Sequence, residues 1–249
     1  MTPEKGPDML RRHITGLSAL ALVAGLAACA TNGTGETEAS ATVATVDEID
    51  LAATIDNPDD INTPDDIDTA IEAEAVSVDD TAGLIWMREE EQLAHDVYTI
   101  LGEEWGLQIF ENIAASEQSH IDAVVGLLDR YGIDDPAADH ELGTFNDPTL
   151  QQLYDDLVAR GLESVEAALT VGATIEELDI DDLRVRSEAT DEAAIVDVYA
   201  RLERGSRNHL RAFVGQLDLL GAEYQPSLLD DDESIISTPT ERGGGRSDH

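Results

Sequence analysis

The chain has 249 residues, with 54 Asp or Glu against 14 Lys or Arg, so its formal net charge is −40. A surface this acidic repels phosphate groups, which excludes DNA and RNA as expected partners. Aromatic residues make up only 4% of the chain, against 42% for all hydrophobic residues, which favours an aliphatic core. Many acidic residues beside a single lysine, Lys5, are also typical of a halophilic source, where screening weakens repulsion between like charges.

Residues 1–28 have the organisation of an export signal. Arg11 and Arg12 precede an apolar run, Leu17 to Ala28, that is short for a permanent membrane span. The run leads into Leu26-Ala27-Ala28-Cys29, which resembles the lipobox of bacterial lipoproteins. We therefore predict a signal peptide over residues 1–28, lipidation at Cys29 and a membrane-anchored protein outside the cytoplasm. An uncleaved apolar anchor is the alternative, and it leads to the same location.

The segment after the signal is acidic and lacks the features of a folded domain. Cys29 is the only cysteine, so the mature chain can form neither an internal disulfide nor a thiolate metal site. Residues 29–80 contain no Lys, Arg or aromatic residue and show no sustained helical period. Such a stretch cannot bury enough apolar surface to offset its ordering entropy. We predict a disordered tether over residues 29–80 and a disordered tail over residues 224–249.

Residues 81–223 follow the helical period with few breakers. The pattern predicts long helices over about 82–103, 108–131, 164–186 and 191–220, and a short helix over about 147–161. Gly132 and Gly221 are stop signals at helix ends, and Asp147-Pro148 is a capping residue followed by proline at the first helical position. No stretch alternates with a period of two for long enough to indicate a sheet.

The spacing between these helices predicts the architecture. The first two long helices are joined by a few residues, and so are the last two, so each pair should form an antiparallel hairpin. A connection of about thirty residues, which includes the short helix, separates the two pairs. Two hairpins with one long crossover form the ferritin-like type of four-helix bundle. The sequence therefore predicts an all-α domain of this type.

Ionisable residues interrupt the apolar stripes that should face the interior. In chain order they are Glu91, Glu117, His120, Glu176, Asp179 and His209. Burying unpaired carboxylates is costly, and a bound metal pair offsets that cost well. Carboxylates and imidazoles suit iron, manganese or zinc, and the Glu117-x-x-His120 spacing is that of dimetal carboxylate bundles. We therefore predict two bound metal ions, with iron as the first candidate. His95 and His140 are expected at the surface, Glu177 toward the polar side of its helix, and Tyr98 in the core.

Four segments, in order along the chain, resemble a known family. They are Arg88–Tyr98, Asn112–His120, Ile175–Ile180 and Gly205–Phe213. They are similar to the segments of the domain of unknown function 2202, which is placed in the ferritin-like superfamily. The resemblance covers about residues 82–222 and implies a ferritin-like fold without a settled reaction.

Rubrerythrin-like members of that superfamily imply which positions bind metal. Their first-helix glutamate is followed by Ala three residues later and by Tyr seven residues later, as Glu91 is in this chain. The resemblance therefore favours Glu91 over Glu89 and Glu90. The fourth helix departs from the family pattern. The family has a carboxylate three residues before the histidine, whereas this chain has Ser206 three residues before His209. Asp179 is the candidate to replace that carboxylate; if it cannot reach, the site holds one metal ion or binds two weakly.

Two functions remain open at this stage. The first is an exported oxidoreductase or ferroxidase-like protein with a di-iron centre. Since the chain has no cysteine site for taking up electrons, the reductant would be a separate protein or ferrous iron itself. The alternative is a non-catalytic surface lipoprotein whose bundle binds a structural metal or none and presents a surface to a partner. Ser206 in place of a carboxylate supports the alternative.

Overall fold

A computed structural model of the chain describes residues 76–226, 228–229 and 232–237. The predicted signal peptide, the lipidation position Cys29 and most of the predicted tether lie outside these residues. Within the described ranges the only regular secondary structure is α-helix, and none of these helices is both long and apolar enough to cross a membrane. The helices are α1 (Val78–Trp105), α2 (Gln108–Tyr131), α3 (Pro148–Gly161), α4 (Val165–Ala189), α5 (Ala193–Leu220) and α6 (Asp232–Ser237).

The helix ends follow local capping signals, which is why the sequence predicted them to within a few residues. Ser77 caps α1 by accepting a hydrogen bond from the backbone N–H of Asp80. Asp147 caps α3 in the same way and is followed by Pro148. Gly132 ends α2 with a φ of 65°, in the left-handed region where glycine is the least strained residue.

Two helical hairpins form the bundle. One consists of α1 and α2, the other of α4 and α5, and α1 also packs against α4 while α2 packs against α5. Trp86 near the start of α1 donates a hydrogen bond to Asp182 near the end of α4. Tyr131 at the end of α2 donates to Glu192, the residue before α5. Neighbouring helices are therefore antiparallel, and the predicted all-α bundle is confirmed.

The long connection between the hairpins is fastened to the polar side of α1. The buried carboxylate of Asp96 lies 2.7 Å from both the His140 imidazole and the backbone N–H of Gly143. The backbone N–H of Asn146 donates to the buried Glu89 carboxylate at 2.6 Å. The prediction that His140 is exposed is wrong, since Asp96 holds it in a half-buried position.

Within the predicted tail from residue 224, the structure describes residues 224–226, 228–229 and 232–237, and part of this segment packs against the bundle. Leu229 and Ile235 are buried, and the guanidinium of Arg211 donates to the backbone carbonyl of Ile235 at 2.8 Å. Tyr224 donates a 2.9 Å hydrogen bond to the buried carboxylate of Glu177, which the helical period had placed toward the polar side. Sequence patterns do not detect such a segment, because its few apolar residues are not periodic and gain their partners only on the surface of the bundle.

The core consists of two apolar clusters at different levels of the bundle. Leu84, Met87, Val124 and Leu202 belong to one cluster. The other includes an aromatic group, Tyr98, Phe110 and Phe213, with ring centroids 5.3 to 6.2 Å apart. Along each long helix, the ionisable positions of the apolar stripe fall between the two clusters. The fold therefore places these charged residues in the middle of the bundle, with apolar layers on both sides.

Candidate metal centre

Five of the six predicted ligands come together in two overlapping groups. Glu91, Glu117 and His120 form the first group, and Glu117, Glu176 and His209 form the second. In each group, one nitrogen or oxygen per residue lies within 4.8 Å of the others. Glu117 belongs to both groups, because its Oε2 lies 2.7 Å from His120 Nδ1 and its Oε1 lies 2.9 Å from His209 Nδ1. All five side chains are buried.

The geometry of the two groups fits metal ligands better than mutual hydrogen bonds. Glu91 Oε1, Glu117 Oε1 and His209 Nδ1 are buried and have no hydrogen-bond partner. Glu117 Oε1 and His209 Nδ1 are nevertheless only 2.9 Å apart, so the two groups are close enough for a hydrogen bond but are not aligned for one. Ligands about 2.1 Å from one ion lie about 3 Å from each other. Unpartnered buried polar atoms are costly, so the residues present fit a bound metal ion.

Each histidine is oriented by a small residue that the sequence did not single out. His209 Nε2 lies 2.9 Å from the hydroxyl of Ser116, which fixes the ring and turns Nδ1 toward Glu117. The ring of His120 fits against Gly205, where an added Cβ would lie 2.6 Å from Nε2. A glycine in the middle of a helix costs about 1 kcal/mol relative to alanine. A glycine that is kept in a helix despite this cost was the available signal that another side chain packs closely against Gly205.

The charges of the site are strongly coupled in the metal-free protein. Burial raises the pKa of Glu91 to about 7, although the nearby His120 lowers it. Burial alone would also raise the pKa of Glu117, but His209 and His120 together bring it below its usual range. For His209, burial is outweighed by Glu117 and Glu176, which raise its pKa to about 10. Protons on the imidazoles therefore supply the positive charge that a metal would supply.

Tyr98 contributes to the site as well as to the core. Its hydroxyl donates a short hydrogen bond to Glu176 Oε1 and lies 3.3 Å from the carbonyl oxygen of Gly172. The ring packs against Phe110 and Phe213, as expected for a core residue. The tyrosine therefore fixes one oxygen of Glu176 and leaves the other, Oε2, 3.4 Å from His209 Nδ1.

Asp179, the sixth predicted ligand, lies beside the two groups but belongs to neither. Its Oδ2 accepts a short hydrogen bond from the hydroxyl of Ser206, while its Oδ1 is buried without a partner. The Asp179 carboxylate is therefore held next to Ser206, the position for which it was the candidate replacement. Burial, together with repulsion from Glu91 and Glu90, holds the pKa of Asp179 well above its usual value.

The fold and the site define an all-helical bundle with buried carboxylate and histidine groups that can hold a metal ion. The chain belongs to the family described as "Uncharacterized protein domain (DUF2202)", which matches residues 80–239. It is 48% identical over 180 residues to "Uncharacterized protein MJ0754" of Methanocaldococcus jannaschii, covering 72% of this chain and 97% of that protein. The crystal structure of hypothetical protein MJ0754 from Methanococcus jannaschii DSM 2661 has a TM-score of 0.67 at 47% identity, covering 70% of this chain and 100% of that chain. The resemblance of the four segments to the domain of unknown function 2202 is thus confirmed.

Proposed function

We propose that the bundle holds a carboxylate-bridged pair of metal ions, with iron as the preferred metal. We also propose that the protein is an exported, lipid-anchored, ferritin-like oxidoreductase or ferroxidase. The observation that carries the proposal is the double role of Glu117, whose two oxygens face two different histidines. Each ion would receive one imidazole, one carboxylate of its own and one oxygen of Glu117. Glu91 and Glu176 are the separate carboxylates of the two groups.

The chemistry of the ligand set favours iron or manganese, and it also permits zinc. Three carboxylates and two imidazoles are hard to intermediate ligands, and no thiolate is available in the mature chain beyond Cys29. Two divalent cations would compensate the negative charge that the carboxylates bring into the interior. Three protein ligands per ion leave coordination positions for a substrate, as in catalytic rather than closed structural sites.

Bound iron would supply redox chemistry toward oxygen or peroxide. The residues of the chain would bind and orient the ions: Glu117 holds both, and His120 and His209 hold one each. The apolar clusters on both sides of the site limit the access of water. Because the chain offers no cysteine site for electron transfer, electrons would come from a separate donor or from ferrous iron as the substrate.

The proposed location outside the cytoplasm rests on the first 29 residues. The apolar run and the segment Leu26–Cys29 support cleavage, lipidation at Cys29 and attachment to the envelope or the cell surface. The acidic residues that follow would raise the local concentration of cations near the domain, an effect that weakens with salt.

Metal content is the first test of this proposal. The mature chain without its lipidated first residue, residues 30–249, would be purified in high salt without chelators and reconstituted anaerobically with ferrous iron. We expect about two irons per chain, few or none in the double variant Glu117→Ala/His120→Ala, and an unchanged content in Glu111→Gln, an exposed position on the same helix. Oxygen uptake with ferrous iron should follow the metal content. A chain that binds no iron, manganese or zinc after reconstitution would rule out the metal centre.

A second candidate function is a non-catalytic envelope protein with a structural metal. The hydrogen bond between Ser206 and Asp179 favours it, because it engages within the protein an oxygen of Asp179, the fourth carboxylate of the predicted ligand set. In that case the metal would raise the melting temperature, and ferrous iron would cause no oxygen uptake. Metal binding with stabilisation but without turnover would therefore select this second candidate.

A further inference from the structure

A line of carboxylates connects the outer side of the α1–α4 interface with the metal centre. Asp182, at the outer end, has a side chain that is 15% exposed. Glu90 and Asp179 follow at 7% and 6% exposure, and Glu91 of the first ligand group is 1% exposed. The line thus begins at a half-buried residue and continues through buried ones. Of these four residues, only Glu91 belongs to a ligand group.

The outer end of this line is held by a tryptophan. Trp86 Nε1 lies 2.9 Å from Glu90 Oε2 and 2.9 Å from Asp182 Oδ2, so a single donor holds two carboxylates. The guanidinium of Arg186 lies over the Trp86 ring at 5.4 Å and approaches Asp182 only to 3.8 Å. Arg186 therefore contributes a positive charge at the outer end, beside Trp86 and Asp182.

The inner end of the line has an unpartnered oxygen. Asp179 uses Oδ2 to accept from Ser206, and its Oδ1 is buried with no hydrogen bond. Glu90 lies one turn after Trp86 on α1, and Asp179 lies one turn before Asp182 on the antiparallel α4, so the Trp86–Asp182 contact brings Glu90 and Asp179 to the same level of the interface. Repulsion from Glu91 and Glu90 accordingly helps burial to raise the pKa of Asp179. Buried carboxylates grouped in this way are unfavourable unless a cation compensates them. A divalent metal ion with oxygen ligands meets that requirement.

We propose that Glu90 and Asp179 form a separate, weaker site for a divalent metal ion, through which ions pass from the α1–α4 interface to the Glu91–Glu117–His120 group. This inference rests on the proposed metal centre as the destination of the ions. The site is weaker than the centre because it offers two carboxylates and no imidazole, so an ion there keeps most of its water and can move on. Trp86 and Asp182 form the outer end of the path.

The test measures how fast the metal arrives, separately from how much is bound. Metal-free mature chain would be mixed with Co²⁺ in a stopped-flow instrument, and the ligand-field absorption would report occupation of the centre. Elemental analysis after desalting gives the final metal content. For Glu90→Gln and Asp179→Asn we expect loading about tenfold slower, or more, with an unchanged final content. The final content also shows that each variant is folded.

Glu89→Gln is the matched control. It removes the same single charge from a neighbouring buried glutamate, but Glu89 accepts from the backbone of Asn146 in the crossover, away from the α1–α4 interface. It should load at the rate of the unchanged chain. Equal rates in all variants would overturn the inference and leave the metal centre intact. A lower final content in Asp179→Asn would also overturn it, because Asp179 would then belong to the centre itself. An unchanged chain that binds no Co²⁺ would overturn the metal centre and, with it, this path.

Discussion

Glu117 and His209 face each other between α2 and α5, with Oε1 and Nδ1 2.9 Å apart and neither atom in a hydrogen bond. The same glutamate reaches His120 with its other oxygen, at 2.7 Å. Three residues of two helices thus form a continuous chain of ligand atoms through the bundle. Because Glu117 Oε1 and His209 Nδ1 are left without hydrogen-bond partners, a metal that binds this arrangement also stabilises the fold.

Replacing the shared glutamate should affect both ions, whereas replacing one histidine should affect one. We expect Glu117→Ala to reduce the iron content from about two per chain to near zero, and His209→Ala to reduce it to about one. Elemental analysis of chains reconstituted in parallel measures the difference. Similar losses in the two variants would contradict the division into two groups.

Two glycines on α5 should respond in opposite ways to alanine. At Gly205 an added Cβ would lie 2.6 Å from His120 Nε2, so the buried ring must shift. We expect Gly205→Ala to lower the free energy of unfolding by about 1–3 kcal/mol and to weaken metal binding. At Gly215 nothing lies within 4 Å of an added Cβ, so Gly215→Ala should raise the free energy of unfolding by about 0.5–1 kcal/mol. Urea denaturation of both variants tests the contrast, and equal effects would contradict the close approach of Gly205 and His120.

The metal-free protein should lose stability as pH rises, because the pKa values of Glu91 and His209 are raised. The contribution of Glu91 is complete below its ordinary pKa near 4.5 and is lost as pH rises through about 7. The contribution of His209 is complete below about 6.5 and is lost as pH rises through about 10. We therefore expect a lower melting temperature for the metal-free chain at pH 8.5 than at pH 6.

The same shifts predict that metal binding strengthens with pH, since protons compete for the ligand atoms. The rise in melting temperature on adding metal should be larger at pH 8.5 than at pH 6. Glu91→Gln is the matched variant, because it removes the group that titrates near pH 7 and should flatten the metal-free stability between pH 5 and 7. An unchanged slope in that variant would assign the pH dependence to the acidic surface instead.

The segment after α5 should contribute to stability. A chain that ends at Tyr224 lacks the buried side chains of Leu229 and Ile235 and the contact of Arg211 with the backbone of Ile235. We expect it to be less stable by about 2–5 kcal/mol than a chain that ends at Ser237. Thermal unfolding of the two chains checks this expectation, and equal melting temperatures would restore the prediction of a tail without structure.

The localisation proposal is tested at Cys29. The full chain, expressed in a bacterial host that processes lipoproteins, should fractionate with membranes and enter the detergent phase. Cys29→Ser should abolish lipidation, which mass spectrometry of the N-terminal peptide detects. If the two chains fractionate alike and no lipid is attached to Cys29, the lipobox interpretation is wrong.

Several contacts could not be predicted from the sequence, because they join positions that are far apart in the chain. His140 was expected to be exposed, yet it lies against Asp96, 44 residues away in sequence. Glu177 was placed toward the polar side, yet Tyr224 covers it. His140 was expected to be exposed because it lies in the crossover between helices, whose packing the sequence does not give. For Glu177, the helical period describes one helix alone, and another segment covers the side that the period leaves polar.

The sequence by itself determined the helices and the types of ligand. Caps such as Ser77 and Asp147 act on the residues next to them, and the stripe that carries Glu91, Glu117 and His209 follows from the period of a single helix. Only the tertiary structure decided that Glu117 is shared between two groups and that Asp179 accepts a hydrogen bond from Ser206. The reason is that periodicity gives the face on which a side chain lies, whereas its partners depend on rotamers and on how four helices pack together.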